Sequence, residues 1–541
     1  MPFPDFTPTA PILIQRLAGQ YGDREAIVLG DQRLSYRRAE EESARLARGL
    51  LARGVAKGMR VGLLMPNGPD WLVAWLAVTR IGGILVPLNT FFQARELQWI
   101  LRHSDIHTLL TVSNYLNHDY LERLEGIASE LIDQPEGDFR IPLLPNLRQV
   151  FVWGECERKW AGGSDDLLAA ADSDFDAPML AAVEESITPA DPMAILYSSG
   201  STADPKGAIH THGAVIRHSY NLSCGRDVTE VDRVWCPMPF FWVGGFVFAL
   251  VGNLHVGATT LCEEAFDPGP TLAFLEREAV SVAMGWPHFG KALSEHPDFN
   301  VRDLSKLRAG NIPDLLPKEI VPDDPLMRPT ALGMTETCGP HTWTRIDEPL
   351  PESRRGSFGE AVEGVSHRIV DPKSGRVLPR GEFGEICVRG YSLMQGLHRT
   401  EREDVFDADG FYHTGDAGYF DPEGVLYFSG RLGEMIKSGG ANVTPAEVEQ
   451  ALIAYPEIKE AYVVGIEDAD RGQSVEAAIV LEAGERVGEE ELRGRLRSEL
   501  SAYKVPRHIV SYAPGRLPFT DTGKIDKLRL ARILAEKISE P

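Results

Sequence analysis

At 541 residues, 43% hydrophobic and 25% charged, the chain has the composition of an ordinary globular protein and length for more than one domain. Lys and Arg number 55 against 79 Asp and Glu, a net charge of −24. That balance argues against nucleic acid as a partner, since a phosphate backbone needs a basic face, but leaves room for an anionic nucleotide in a locally positive pocket. Six cysteines (Cys156, Cys224, Cys236, Cys262, Cys338, Cys387) form no Cys-x-x-Cys pair. Neither a zinc site nor a disulfide framework is expected, and a reducing, cytoplasmic setting is.

The N-terminus, Met1-Pro-Phe-Pro-Asp, has neither the basic nor the apolar region of a secretory signal, and none is expected. Over residues 39–51, Ala44, Leu46, Ala47, Leu50 and Leu51 follow a helical period, with Gly54 as the expected C-cap. A strand at 60–65, a helix at 71–78 and a strand at 84–86 come next. Their alternation predicts an α/β fold with mainly parallel pairing. The apolar stretches 72–88 and 246–261 are broken by Arg80, and by Asn253 and His255, so neither reads as a membrane span. Residues 155–190, acidic and rich in Ala, Ser, Asp and Pro, read as a surface excursion. After Gly430 the composition shifts. Strands at 460–466 and 475–481, a helix carrying Leu492, Leu496 and Leu500, an apolar piece at 508–512 and a Pro/Gly-rich loop at 514–524 predict a small α+β domain.

Residues 197–207 read Tyr-Ser-Ser-Gly-Ser-Thr-Ala-Asp-Pro-Lys-Gly, after an apolar run at 193–196 that reads as a buried strand. Such a loop can wrap N–H groups and hydroxyls around phosphate oxygens, with Lys206 as a point charge. It lacks the closing Gly-Lys-Ser/Thr of a Walker loop, and a polar strand-to-helix turn would use the same residues. Gly333-Met-Thr-Glu-Thr337 offers a hydroxyl and a carboxylate suited to a phosphate-bound Mg²⁺, or a Thr N-cap with an acidic first turn. Tyr412-His-Thr-Gly-Asp416 sets a carboxylate where it can accept both hydroxyls of a ribose, though Thr-Gly-Asp is also ordinary turn chemistry. Gly430-Arg-Leu-Gly-Glu-Met-Ile-Lys-Ser-Gly-Gly440 follows, and Thr444-Pro445 reads as the N-cap and first residue of a helix. Pro518-Phe-Thr-Asp-Thr-Gly-Lys524 ends in a loop lysine that could equally be solvated surface charge.

In this order, from about residue 34 to 527, the elements resemble those of the acyl-adenylate-forming (AMP-binding) superfamily, of acyl-CoA synthetase or fatty-acid–CoA ligase type. The resemblance implies an α/β chain of two domains. The larger is a multi-subdomain N-terminal domain of mixed, mainly parallel sheets at 1–431. The smaller is a mobile α+β domain at 432–541, hinged near Gly433. The resemblance also implies that a carboxylic acid attacks the α-phosphate of ATP to give an acyl-adenylate and pyrophosphate, and that coenzyme A then displaces AMP. Ser198, Ser199, Gly200, Ser201, Thr202 and Lys206 match the loop along the β- and γ-phosphates. Thr335 matches a phosphate contact and Glu336 the Mg²⁺ ligand. Gly310, Asn311, Ile312, Ala331, Leu332, Gly333 and Met334 match the nucleotide's surroundings, and Asp416 with Arg431 the ribose site. Lys524 matches the lysine that bridges the carboxylate and the α-phosphate, on a domain whose rotation withdraws it. Gly433, Lys437, Ser438, Gly439 and Gly440 match the hinge and coenzyme A path. Trp242, Val243, Trp286 and Gly310 fall where relatives build the acyl pocket, and a homodimer is compatible with the family.

Three positions depart from the family's pattern. Leu332 stands where many relatives carry an adenine-stacking Tyr. Trp242, in Pro239-Phe-Phe-Trp-Val-Gly-Gly245, replaces a common His, and Trp286 a smaller aliphatic residue. Two indoles lining the pocket would favour a compact, aryl, cyclic or medium-chain acid; core packing is the other reading. An enzyme loading a carrier protein is disfavoured by the lack of an Asp-Ser carrier signature, and a luciferase-like oxygenase shares the adenylation motifs. A non-catalytic nucleotide sensor would have no need of Lys524.

Overall fold

The computed structural model describes residues 3–171, 175–198, 205–345, 349–438, 441–468, 472–500, 504–520 and 524–539. The chain divides into two compact units, residues 1–366 with 388–412 and residues 367–387 with 413–541.

The first unit is built on two large sheets. One orders Ala309–Gly310, Val282–Ala283, Arg233–Trp235, Thr259–Cys262 and Glu25–Leu29 in parallel, and closes with the antiparallel strand Gln32–Ser35. The other runs parallel from Pro192–Ser198 through Ile84–Pro87, Arg60–Leu64, Ile106–Val112 and Gln149–Trp153 to Gly162–Gly163. Beyond Pro192–Ser198 it turns antiparallel, adding Lys206–Thr211 and Gly396–Leu397. The helix Pro69–Arg80 lies against strands of both sheets and against the helices Ala10–Tyr21 and Tyr36–Ala52. Every residue from Trp71 to Arg80 is buried, as a helix apolar on all faces requires. Ser35 caps the helix Tyr36–Ala52 through the Arg38 N–H, and Gly54, in the left-handed region, follows its end.

Residues 155–190 are not the surface excursion their composition predicts. The helix Ser164–Ala171 packs on Tyr36–Ala52 so closely that a Cβ on Gly49 would sit 2.1 Å from the Leu167 carbonyl oxygen. Glu184, at the end of the helix Ala177–Glu185, pairs with the buried guanidinium of Arg80. A few buried residues, Leu167, Ala171 and Leu180, carry the packing, and an average over the segment conceals them.

A five-stranded sheet orders Val377–Leu378, Val365–Val370, Gly384–Gly390, Tyr412–Phe420 and Leu426–Arg431. In the second unit, a further sheet orders Ala441–Val443, Ile436–Ser438, Gly472–Leu481 and Ile458–Asp468, with His508–Tyr512 pairing in parallel beside Gly472–Leu481. Leu492 and Leu496 of the helix Glu489–Glu499 are buried in its core. Thr444 precedes the helix Pro445–Ile453 as expected, but its side chain makes no capping hydrogen bond. Among the described residues no helix is long and apolar enough to cross a membrane.

Candidate active site

In the first unit, Pro192–Ser198 and Lys206–Thr211 form a hairpin that sets Ser198 directly opposite Lys206. Ser199, Gly200, Ser201 and Thr202 lie outside the described residues. Tyr197 anchors the hairpin from beneath, its hydroxyl 2.8 Å from Nδ1 of His103. Across from it, the Gln395 and His398 N–H groups donate to the carbonyls of Ile209 and Gly207, both at 2.7 Å. Lys206 is exposed and makes no ion pair among the described residues.

Thr335–Thr337 is a single tight turn after the strand Ala331–Met334, closed by Cys338 in the left-handed region at φ 62°. Two bonds fix it to the hairpin region. Nε2–H of His210 donates to the Thr335 carbonyl at 2.8 Å, and the Met394 N–H donates to the Glu336 carbonyl at 2.8 Å. Burial lowers His210 to about 4, so the imidazole is neutral at physiological pH and holds Thr335 as an ordinary donor. His218 acts likewise on the next strand, its Nε2 2.8 Å from the Pro340 carbonyl. The Glu336 side chain is 9% exposed and makes no hydrogen bond or ion pair among the described residues.

Gly310 ends the strand Ala309–Gly310 at φ +141°, and a Cβ there would sit 1.9 Å from the Ala283 carbonyl oxygen. Only glycine fits. Asn311 closes this edge, its Oδ1 accepting from the Gly285 N–H at 2.8 Å and its N–H donating to Ala283 at 3.1 Å. Ile312 is fully buried in the apolar cluster beneath, so only its backbone can face a ligand. A cleft beside Gly310 and Asn311 is lined also by Arg308, Ile320 and Arg328. Leu332 is 9% exposed, between the exposed Ala331 and Gly333, with Met334 half-buried.

Trp242 and Trp286, both half-buried, meet edge to face with ring centroids 5.4 Å apart. Trp286 also stacks on Phe289 at 5.8 Å. Val243, half-buried, precedes a widened π-helical turn, Gly244–Val251, whose side chains are largely buried. Such turns often mark functional sites.

In the second unit, Asp416 and Arg431 face each other on adjacent strands, with Nε 2.9 Å from Oδ1. Arg431 also donates to the Thr414 carbonyl at 2.7 Å. Glu385 braces this turn, accepting from the Gly415 N–H at 3.0 Å and pairing with Nδ1 of His413 at 2.8 Å. Glu385, Cys387 and His413 bring potential metal-ligand atoms together, but both Glu385 oxygens are already engaged. Gly433 sits in the turn Leu432–Glu434, where an added Cβ would meet nothing within 4 Å. Lys437 pairs with Asn442 in register, Ser438 is buried, and Gly439 and Gly440 lie outside the described residues. Lys524 is exposed, its carbonyl held by the Thr520 N–H at 2.7 Å, and its ammonium has no partner among the described residues.

The AMP-binding enzyme family matches residues 14–398, and the AMP-binding enzyme C-terminal domain matches residues 447–524. The chain belongs to the AMP-binding enzyme family. It is 31% identical to YngI of Bacillus subtilis, over 96% of this chain and 95% of that one. It is 30% identical to the mitochondrial medium-chain acyl-CoA ligase ACSF2 of Rattus norvegicus, over 95% of this chain and 85% of the relative. Its structure is similar to ATP-bound MatB from Rhodopseudomonas palustris (TM-score 0.78, 25% identity, covering 98% of this chain and 99% of that one). It is also similar to the anthranilate CoA ligase AuaEII in complex with anthranoyl-AMP (TM-score 0.81, 25% identity, 98% of each chain). The protein is an AMP-forming acyl-CoA ligase that binds ATP and works through an acyl-adenylate.

For this AMP-binding enzyme the fold joins Ser198 with Lys206, Trp242 with Trp286, and Asp416 with Arg431. Sequence reasoning missed His210 and Met394, which position the Thr335 turn from segments carrying no motif of their own.

Proposed function

We propose that the hairpin ending in Ser198 and Lys206, with Ser199, Gly200, Ser201 and Thr202, holds the β- and γ-phosphates of ATP, and that Thr335 and Glu336 act beside it. The observation carrying this reading is the double clamp of His210 and Met394 on the backbone of Thr335 and Glu336. It fixes the backbone that carries two polar side chains, while Glu336 and Lys206 have no partners among the described residues. An enclosed, unpaired carboxylate such as Glu336 is costly in a fold, and suits a ligand that completes it.

Glu336, an enclosed carboxylate without a partner among the described residues, fits a hard divalent cation such as Mg²⁺, which when bound offsets charge on the phosphates. Lys206 then stays with the departing pyrophosphate, and Lys524 neutralises the charge shared between the attacking carboxylate and the α-phosphate. Gly310 to Ile312 and Ala331 to Met334 border the base, and Asp416, oriented by Arg431, accepts the ribose hydroxyls. Trp242, Val243, Trp286 and Gly310 bound the acid, which the two indoles restrict to a compact or medium-length shape. Coenzyme A takes the path of Lys437, Ser438, Gly439 and Gly440, with Gly433 as the hinge. All six cysteines are free thiols, which suits a reducing compartment such as the cytoplasm.

Pyrophosphate and AMP release measured over a panel of carboxylic acids, with and without coenzyme A, tests this reading. AMP formation that needs both an acid and coenzyme A supports it. Pyrophosphate release with no use of coenzyme A would point to a carrier-loading enzyme or an oxygenase, and no turnover on any acid would point to a sensor.

A further inference from the structure

Two arginines of the first unit are buried, at 2% and 4% exposure, and their surroundings are opposite. Arg80 is fully answered: Glu184 and Glu40 accept from Nε and Nη2, and Ser43 Oγ and the Glu40 carbonyl accept from Nη1. Arg226 has no carboxylate partner among the described residues. Its Nη1 reaches only the thioether of Met284 at 3.2 Å, a weak acceptor, and its Nη2 reaches Asn253 Oδ1 at 3.4 Å. Nε has no partner among the described residues. The guanidinium lies 4.8 Å from the Phe248 ring centre, in space that Gly252 leaves open. The titratable groups that interact with it are the Cys236 thiol, pushed up to about 12 by burial, and His255, which burial lowers to about 3. Both are neutral at physiological pH and supply no counter-charge. Burial lowers Arg226 only to about 10, so it remains a cation.

A buried cation without a counter-charge is expensive, and an anion bound beside it would offset that cost. The location says which anion. Arg226 borders the apolar cluster of Cys236, Met238, Ala249 and Met284, against which Phe248 and Trp286 pack. Trp286, paired with Trp242, packs on the same cluster whose Met284 the guanidinium touches. Met238 and Met284 of this cluster are buried, unbranched and readily re-arranged.

We infer that Arg226 receives a second carboxylate at the far end of the acid substrate, so that this ligase selects dicarboxylic acids over monocarboxylic acids of equal length. The inference rests on the assignment of Trp242 and Trp286 to the acyl pocket. On binding, the distal carboxylate replaces the Met284 thioether as acceptor, and the guanidinium's planar fork can bind it in two parallel bonds. The chain of the acid takes the place that the flexible Met238 and Met284 side chains yield when they shift.

The test is kcat/KM for coenzyme A-dependent AMP release on α,ω-dicarboxylic acids and monocarboxylic acids of matched length, for wild type, Arg226→Met and Arg226→Lys. Wild type should favour the best diacid over its monoacid by about 100-fold, because a site built around a buried polar group rejects a substrate that leaves it unpaired. Arg226→Met should bring that ratio to about 1 while the protein's Tm stays equal or rises, since an apolar side chain replaces an unpaired charge. Arg226→Lys should keep a reduced preference, roughly 10-fold, through charge without the fork. A wild-type ratio near 1 that no variant moves, with Tm falling in Arg226→Met, would make Arg226 structural and overturn the inference while leaving the ligase reading intact. Failure of every acid of both kinds to give AMP would overturn both.

Discussion

Two regions of the first unit, one assigned to phosphate and one to the acid, are held in opposite ways. At the end assigned to phosphate, backbone groups are tied by His210, His218, Met394 and His398, and the side chains of Lys206 and Glu336 are left unpaired among the described residues. At the end assigned to the acid, side chains are held by one another: Trp242 on Trp286, Trp286 on Phe289, and Arg226 on Phe248 and Met284. The first end is suited to a ligand that never varies, the second to one that a few substitutions can redefine. Variants at the phosphate end should therefore slow every acid alike, and variants at the acyl end should re-rank acids.

Lys524→Ala is expected to have the largest effect. Pyrophosphate release should fall by about 1,000-fold on all acids, while thioester formation from supplied acyl-adenylate and coenzyme A is spared. Equal loss in both half-reactions would remove its assigned role. Glu336→Gln should cost about 100-fold in adenylation, uniformly across acids, and raise the Mg²⁺ concentration needed for half-maximal rate. A change in acid ranking would break the division between the two ends. Gly310→Ala puts a Cβ against the Ala283 carbonyl at a backbone angle that L-residues avoid, and should lower stability by roughly 3 kcal/mol in denaturant titration. Gly433→Ala meets open space and should change stability by less than about 0.5 kcal/mol, so any loss of turnover there reports on the hinge. Trp286→Ala should raise kcat/KM for bulkier acids by about 10-fold and lower it for small ones.

The smallest expected effect is on pH dependence. Burial lowers His210 to about 4 and His218 to about 3, below the roughly 6.5 of an unfolded chain. The unfolded state takes up these protons first, so stability is full above about pH 6.5 and declines progressively as pH falls toward 4. His210→Gln should flatten that decline when unfolding is followed at pH 7 and pH 5.

The hairpin pairing Ser198 with Lys206 is legible in the sequence because its residues are contiguous. The parallel sheet of the first unit and the strands and helix after residue 455 are legible for the same reason, since periodicity is local. The surroundings of Arg226 are not. Arg226 sits in Cys-Gly-Arg-Asp, which reads as exposed charge, and what buries it comes from Phe248, Gly252, Asn253 and Met284. Residues 155–190 mislead for the related reason that packing through Leu167 and Glu184 depends on partners over 100 residues away, Gly49 and Arg80.

The most direct test of the central claim is acid-dependent exchange of labelled pyrophosphate into ATP in the absence of coenzyme A. Exchange that requires a carboxylic acid and Mg²⁺, and is lost in Lys524→Ala, is the result predicted. Exchange without an acid, or formation of ADP and phosphate in its place, would contradict it.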